Sequence, residues 1–340
     1  MNDLQVLSKI KVKPFVTNCF MTEHEIFDEN GACNFENQIT DEVFCFFKNT
    51  NNEFKNMFFF VTQNALLAKN PIARKESQIV TEVFVLEHEV EKALQIKNWL
   101  NSQGNYHCHT VFRMNRVKQE YEPDKNYSLV QNPDENDFVV LLEILEKNFD
   151  KYTERIPTIE KLKELKNSIS LIKVDHQIAA LFITEIKGTT KQLLFWLVIS
   201  EFRGKGFGEL IFKYILNCNP DIKRYTSWIN VKNNYSIKKH TEFRFVKDRI
   251  INFIYLNINI MKEKVIQILE DTRPEFDFRD ESINFISAEY LDSFDIITLV
   301  VDLENTFDVK IIGALIVPEN FRSVDAIANL IQMSKDASQV

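Results

Sequence analysis

The spacing of apolar residues switches repeatedly between strand-like runs and helix-like periods. In the first part of the chain, Met57 to Val61 and Glu82 to Leu86 read as strands, and Val90 to Leu100 as a helix. Leu66 and Leu67 precede a loop containing Asn70-Pro71, and Thr110 to Met114 is a last strand before the polar segment Gln119 to Asn126. A second unit begins at Tyr127. Phe138 to Phe149 is apolar at helical spacing, and Thr158 to Leu165, behind Pro157, is a shorter helix. Ser168 to Val174 and Ile178 to Ile186 read as an antiparallel pair turning at Asp175-His176. Leu193 to Ile199 is an unbroken apolar run, the mark of a buried strand. A helix through Glu209, Leu210, Ile211, Phe212 and Tyr214 follows, then a strand from Ser227 to Val231, a helix bearing His240, and a strand from Arg249 to Leu256. Three further helices are predicted: Met261 to Asp271, one opening at Ser293, and Val324 to Met333.

Between the Leu193 strand and the next helix lie Gly204, Gly206 and Gly208, with Arg203 and Lys205 among them. The first N–H groups of a helix lack intrahelical partners and the dipole makes that end positive, so it receives phosphate. Glycines remove the β-carbons that hold a pyrophosphate away from the backbone, and they allow positive φ. Three glycines with two cations exceed what a tight turn needs.

These residues resemble a family signature. Arg203-x-x-Gly206-x-Gly208 matches the Arg/Gln-x-x-Gly-x-Gly/Ala acyl-CoA motif of the GNAT acetyltransferase superfamily. Asn233-x-x-Ser236-Ile237-x-x-His240-x-x-x-Arg244-Phe245 is similar to that family's Asn-x-x-Ala-x-x-x-Tyr-x-x-x-Gly-Phe helix, with His240 in place of tyrosine and Arg244 in place of glycine. The resemblance spans about 127–258. It implies that Arg203, Gly204, Lys205, Gly206, Phe207 and Gly208 hold the pyrophosphate of acyl-CoA, acetyl-CoA first. It implies that Leu197, Val198 and Ile199 align the thioester, and that Asn233 and Ser236 line the same site. His240 then stands where the leaving thiolate is protonated, and a histidine can donate such a proton. Glu185, on the neighbouring strand, is the candidate base. The loop between the first two helices supplies the acceptor wall, with Asp150, Tyr152 and Arg155 facing substrate. Residues 1–120 have no glycine-rich turn and resemble, faintly, a degenerate GNAT-like half. A substrate-covering accessory domain of another origin fits them almost as well.

Composition changes the picture mainly through charge. Apolar residues make up 45% and charged residues 26%, an ordinary globular balance. The net charge is −8, yet residues 261–340 carry 7 Lys and Arg against 16 Asp and Glu, a net of −9. That leaves +1 for the first 260 residues. The acidity therefore marks a separate module with a basic partner, and argues against nucleic acid. No apolar run approaches the ~18 residues of a membrane span, and no secretory leader is evident. The five irregularly spaced cysteines fit reduced thiols in a cytoplasm. His107 and His109 share a face in a strand, but no second ligand pair accompanies them, so no metal is expected.

In 261–340, a long loop leads to Asp292-Ser293, an acidic helix follows, and a short helix closes the block. This resembles an acyl carrier protein, whose motif is Asp-Ser-Leu; Phe294 departs from it but stays apolar. The resemblance implies an all-α four-helix bundle. It also implies that Ser293 receives 4′-phosphopantetheine from a phosphopantetheinyl transferase. A serine at a helix N-terminus is exposed, and the dipole suits the arm's phosphodiester. The alternative is a serine that serves only as an N-cap. Asp295, Asp302, Glu304 and Asp308 would give that helix a negative face for basic acyl-handling enzymes.

The expected architecture is thus a mixed α/β (α+β) GNAT fold over 127–258, in tandem with an accessory half over 1–120, followed by a carrier bundle over 261–340. The expected activity moves an acyl group from CoA, or from the Ser293 arm, to an amine such as an amino sugar or amino acid. Two alternatives stand beside it: S-acyl loading of the chain's own arm, and a non-catalytic scaffold that delivers the carrier. Only Asn257 to Ile260 separate the last strand from the carrier's first helix. So short a tether implies an arm that serves a neighbouring subunit, and with it a homo-oligomer.

Overall fold

The computed structural model describes residues 2–50, 54–68, 78–119 and 124–337. The loop expected at Asn70-Pro71, and residues 120–123 of the polar segment, lie outside them. The chain divides into two compact units, one of Met1–His109 with Asn252–Val340 and one of Thr110–Ile251. No helix among the described residues is long and apolar enough to cross a membrane.

The first unit begins α1 (Asp3–Lys11), β1 (Phe15–Thr17), α2 (Glu23–Ile26), β2 (Glu36–Ile39), β3 (Val43–Thr50), β4 (Phe54–Thr62), α3 (Gln63–Ala68), β5 (Ile79–Leu86), α4 (Val90–Ser102) and the start of β6 (Asn105–Val117), whose remainder from Thr110 belongs to the second. Strands β2, β3, β4 and β5 are successive neighbours, and β1 pairs antiparallel with β4. The hydrophobic pattern announced neither α1 nor β1, β2 and β3. In β3 the run Val43 to Phe47 is buried at every position, so the alternation that marks a half-exposed strand is missing. The signal for α1 was a capping box: Asn2 Oδ1 accepts from Gln5 N at 3.0 Å and Gln5 Oε1 from Asn2 N at 3.1 Å.

The second unit contains β7 (Val130–Gln131), α5 (Asp137–Asn148), α6 (Lys151–Glu154), α7 (Ile159–Glu164), β8 (Ile169–Val174), β9 (Gln177–Lys187), β10 (Thr190–Val198), α8 (Phe207–Asn217), β11 (Arg224–Asn230), α9 (Asn234–Glu242) and the start of β12 (Val246–Asn257). Its strands run β6-β11-β10-β9-β8-β7. All these pairs are antiparallel except β10 with β11. The β8–β9 turn is Asp175-His176, both at positive φ (49° and 66°), which suits the right-handed twist of a two-residue hairpin. Side chains alternate between the two faces of β9. Phe182 joins Ile211, Phe212 and Ile215 of α8, whereas Leu181 and Ile183 join Leu141 and Leu145 of α5 and Leu162 of α7. Helices thus cover both faces of β9.

Helix α9 ends in a Schellman motif. Phe245 N donates to His240 O and Arg244 N to Thr241 O, both at 2.9 Å. Arg244 adopts φ 62° to close it. This is why glycine is the usual occupant of the position.

The first unit is completed by α10 (Ile258–Thr272), α11 (Ser293–Phe307) and α12 (Val324–Ala337), with 3₁₀ turns at Gly313–Leu315 and Pro318–Phe321. Where four helices were expected, the described residues hold three α-helices and these turns. Leu269, Leu299, Leu303, Phe307, Ile327 and Ile331 form their common core. No tether precedes α10, because Asn257 ends β12 and also caps the helix. Its Oδ1 accepts from Ile260 N at 3.3 Å and from Ile79 N of β5 at 3.0 Å. The block expected as a separate module also packs on this unit's N-terminal part. Tyr106 lies against its core, and Lys335 Nζ donates to His107 O.

Replacing Arg244 by glycine relieves roughly 1–2 kcal/mol of left-handed strain and costs roughly 0.5–1 kcal/mol of extra unfolded-state entropy. It also removes an exposed hydrogen bond from Arg244 Nη1 to Gln119 Oε1. We expect R244G to be neutral to about 0.5 kcal/mol more stable in urea unfolding. A loss of more than about 1 kcal/mol would mean that the side chain, not the turn, governs this position.

Candidate functional site

Strands β10 and β11 run parallel but pair over four residues, from Thr190↔Arg224 to Leu193↔Ser227. β10 continues to Val198 and β11 to Asn230 beyond the last pair. On its other side, β10 stays paired with β9 as far as Val198↔Ala180. One edge of Leu194 to Val198 therefore opens away from its neighbour. Leu197, Val198 and Ile199, singled out from the sequence, stand at the end of this opening and are half-buried.

The turn beyond the opening gives each glycine a separate task. Gly204 and Gly206 have φ of 79° and 82°, with open space where a β-carbon would stand. They are needed for backbone conformation. Gly208 is helical and is needed for contact, since a β-carbon there would lie 3.0 Å from Val198 Cγ2 and 3.4 Å from Trp196 Cζ2. The glycine draws the first turn of α8 onto the open strand. Gly206 is the N-cap and offers no side chain, so the leading N–H groups, including those of Phe207 and Gly208, have no side-chain cap. Arg203 and Lys205 are exposed beside them. Arg203 Nε donates to Val198 O at 3.3 Å, and Lys205 Nζ lies 4.9 Å over the Phe202 ring. An uncapped helix N-terminus, two cations and a strand edge that β11 has left suit a phosphorylated amide-bearing chain such as the pantetheine diphosphate of CoA.

Asn233 is the N-cap of α9, its Oδ1 accepting from Ser236 N at 2.9 Å. Within the structure, both residues thus shape the helix start. His240 is neither on the helix surface nor poised as an acid. It is 3% exposed and packed edge-on against Phe212, Phe245 and Trp196. Its Nδ1 lies 2.8 Å from Ser236 O, a contact that requires the proton on Nδ1. Nε2 is buried without a partner among the described residues, as is Trp196 Nε1. Burial pulls the imidazole from its ordinary 6.5 down to about 4. With its proton on Nδ1 at neutral pH, the ring presents a lone pair rather than a proton at Nε2.

Glu185 is brought nowhere near the turn along the strand. It pairs with Gln192, six residues before Val198 or about 20 Å along β10, and holds Lys187 Nζ at 2.9 Å. The loop after α5 does reach β10, because Phe149 packs edge-on against Phe195 with ring centroids 5.0 Å apart. In that loop, Asp150 caps α6 by accepting from Tyr152 N and Thr153 N, and Tyr152 is buried. Arg155 leaves the helix with φ 52°. The pattern of apolar spacing passed over Glu154 between them. Its side chain reaches solvent, yet surrounding protein, with Asp150 adding its charge, pushes the carboxyl up to about 7. A carboxylate poised there is a better base than an ordinary one.

No protein-family model and no curated protein matches the chain. Among solved structures, a GCN5-related N-acetyltransferase from Sphaerobacter thermophilus aligns over 68% of this chain and 78% of its own, at 8% identity and a TM-score of 0.45. A GNAT-family acetyltransferase from Colwellia psychrerythraea covers 67% and 84%, at 10% identity and 0.41. The ribosomal-protein-S18-alanine N-acetyltransferase from Escherichia coli covers 38% and 91%, at 11% identity and 0.31. With scores below 0.5, these likenesses carry nothing about chemistry or substrate.

Ser293 is exposed at the first position of α11. The helix start is already served: Asp292 Oδ1 accepts from Phe294 N at 2.7 Å and Asp295 N at 3.0 Å, so Asp292 rather than Ser293 is the N-cap. Asp295 is turned inward to Arg273 Nη1 at 2.8 Å, and Glu304 to Lys310 Nζ and Ile311 N. The expected negative face is thereby reduced. Apolar Phe294, Ile297 and Val301 are exposed on that helix beside Ser293, Thr298 and Asn305.

The depressed His240 has a consequence for stability. Its folded value lies below its unfolded one, so the stabilisation is complete above about 6.5 and is lost as pH falls towards 4. Between pH 7 and 4.5 the loss is about 2–3 kcal/mol. Melting temperatures at the two pH values should fall less for H240Q than for wild type. Equal falls would show that the ring does not titrate in this way.

Proposed function

We propose that the chain is an acyltransferase that takes its acyl group from a pantetheine thioester lying in the opening between β10 and β11. The observation that carries this reading is the end of the β10–β11 ladder at Leu193↔Ser227, directly before an uncapped helix start flanked by Arg203 and Lys205. The diphosphate of acyl-CoA sits on the first turn of α8, and the arm's amides bond the free edge of β10. The acceptor is an amine, such as that of an amino sugar or amino acid. Its nitrogen attacks the thioester carbon and the C–S bond breaks, giving an amide and a free thiol. Strand N–H groups stabilise the carbonyl oxygen as charge develops on it. Glu154 takes the amine proton, and the thiolate is reprotonated from solvent.

The second part of the proposal concerns Ser293. An exposed serine directly behind an aspartate N-cap, ahead of an exposed apolar helix face, suits attachment of 4′-phosphopantetheine by a phosphopantetheinyl transferase. The arm then serves as a second donor or as an acyl store for acyl-pathway enzymes.

Calorimetric titration with CoA tests the first part. Gly206→Ala should weaken binding by about tenfold or more, because alanine resists the left-handed conformation that sets the turn. Unchanged affinity in a folded G206A would remove the turn from the site. For Ser293, intact mass after co-expression with a phosphopantetheinyl transferase should show the arm on wild type and not on S293A. An unmodified wild type would end the carrier reading.

A further inference from the structure

The first unit holds a second parallel pair that separates. β4 and β5 pair at Lys55↔Ile79 and Asn56↔Val80, after which β4 continues to Thr62 and β5 to Leu86. The order β4, α3, β5 repeats that of β10, α8 and β11. Odd-numbered residues of β4 face the edge that β5 leaves, beginning with Lys55 N, which donates to Gln78 O at 2.9 Å.

From there the edge is taken over, group by group, by residues 14–18. Asn18 is 3% exposed and reaches both strands. Its Nδ2 donates to Met57 O at 3.0 Å and to Glu82 O at 2.9 Å, and its Oδ1 accepts from Phe59 N at 2.8 Å. Thr17 Oγ1 donates to Phe59 O at 2.6 Å. Val16 stands opposite Val61 in the ladder, and Pro14 O accepts from Gln63 N at 2.9 Å. Helix α3 follows β4 with no glycine turn. Its first N–H, that of Gln63, is used by Pro14, and Ala65 N donates to Thr62 Oγ1 at 3.3 Å. The two features left open in the other half, a strand edge and a helix start, are both filled here.

We propose that residues 14–18 are a built-in occupant of this split. They lie as an extended amide-bearing strand where β4 would otherwise receive an extended amide-bearing ligand of the pantetheine kind. The N-terminal half therefore takes no acyl-CoA, and the chain has one donor site. The last clause rests on the reading of the β10–β11 opening given above; the occupancy of the β4–β5 split does not.

Hydrogen–deuterium exchange on the full chain, with and without saturating CoA, separates the two. Segment 57–63 should exchange slowly and ignore CoA, while segment 197–209 becomes slower when CoA is added. In N18A the exchange of 57–63 should rise by about tenfold or more, since Met57 O, Phe59 N and Glu82 O lose their partner together. T17V, which keeps the side-chain shape, gives a smaller rise at the same segment should N18A fold poorly. Fast exchange of 57–63 in wild type, no response in either variant, or a change there on adding CoA would each overturn the proposal. Protection of 57–63 with no effect of CoA on 197–209 would uphold the built-in strand and overturn the donor-site reading alone.

Discussion

Two parallel strands that part before they end leave backbone N–H and C=O groups facing a gap, and a buried gap of that kind does not persist unfilled. This constraint shapes both units. At β4 the debt is met inside the chain by Pro14, Thr17 and Asn18. At β10, the segment Phe195 to Val198 keeps β9 on one edge and has left β11 on the other. On that second edge Arg203 Nε reaches Val198 O, and the helix start that faces the same place has no side-chain cap. The same strand–helix–strand order thus reaches two end states, one closed on itself and one open. The difference resides in a short stretch near the N-terminus and in three glycines.

Those glycines are not interchangeable. Two occupy left-handed backbone with room to spare, and the third is helical with strand side chains against it. Alanine at Gly204 or Gly206 meets a conformational cost, whereas at Gly208 it meets Val198 and Trp196 and pushes the helix off the strand. Arg244 shows the converse: a left-handed position held by a residue with a β-carbon, because the Schellman bonds to His240 and Thr241 fix the turn around it. One turn is kept in shape by composition and the other by its hydrogen bonds.

Much of the second unit was legible in the sequence because its strands carry clear apolar runs and its turns carry turn residues. The Leu193 strand, the glycine turn and the hairpin at Asp175-His176 stand where the pattern put them. Side-chain roles were far less legible. His240 reads as a polar residue on a helix, and only the three aromatic rings around it reveal that it is buried and neutral. Glu185 is close to β10 in sequence, and register sets it opposite Gln192, beside the point where β11 leaves and far from the glycine turn. Glu154 has no periodic signature, since its elevated carboxyl comes from tertiary surroundings. The C-terminal acids were counted as surface charge, yet Asp295 and Glu304 spend theirs within the fold. Charge counts do not report partners.

A neutral His240 does not stop the proposed transfer. An ordinary thiol ionises near 8.5, so a thiolate leaves without an acid and recovers its proton from water at little cost. An ordinary alkyl ammonium ionises near 10.4 and is the group that must give up a proton before attack. The demand for catalysis therefore falls on the base side of the site. Glu154, whose carboxyl surrounding protein pushes up, is the base proposed for that demand, while a buried imidazole near 4 fits a structural part beneath the strand. In the proposed transfer His240 is therefore a packing residue of α9, and the step that needs help is deprotonation of the amine.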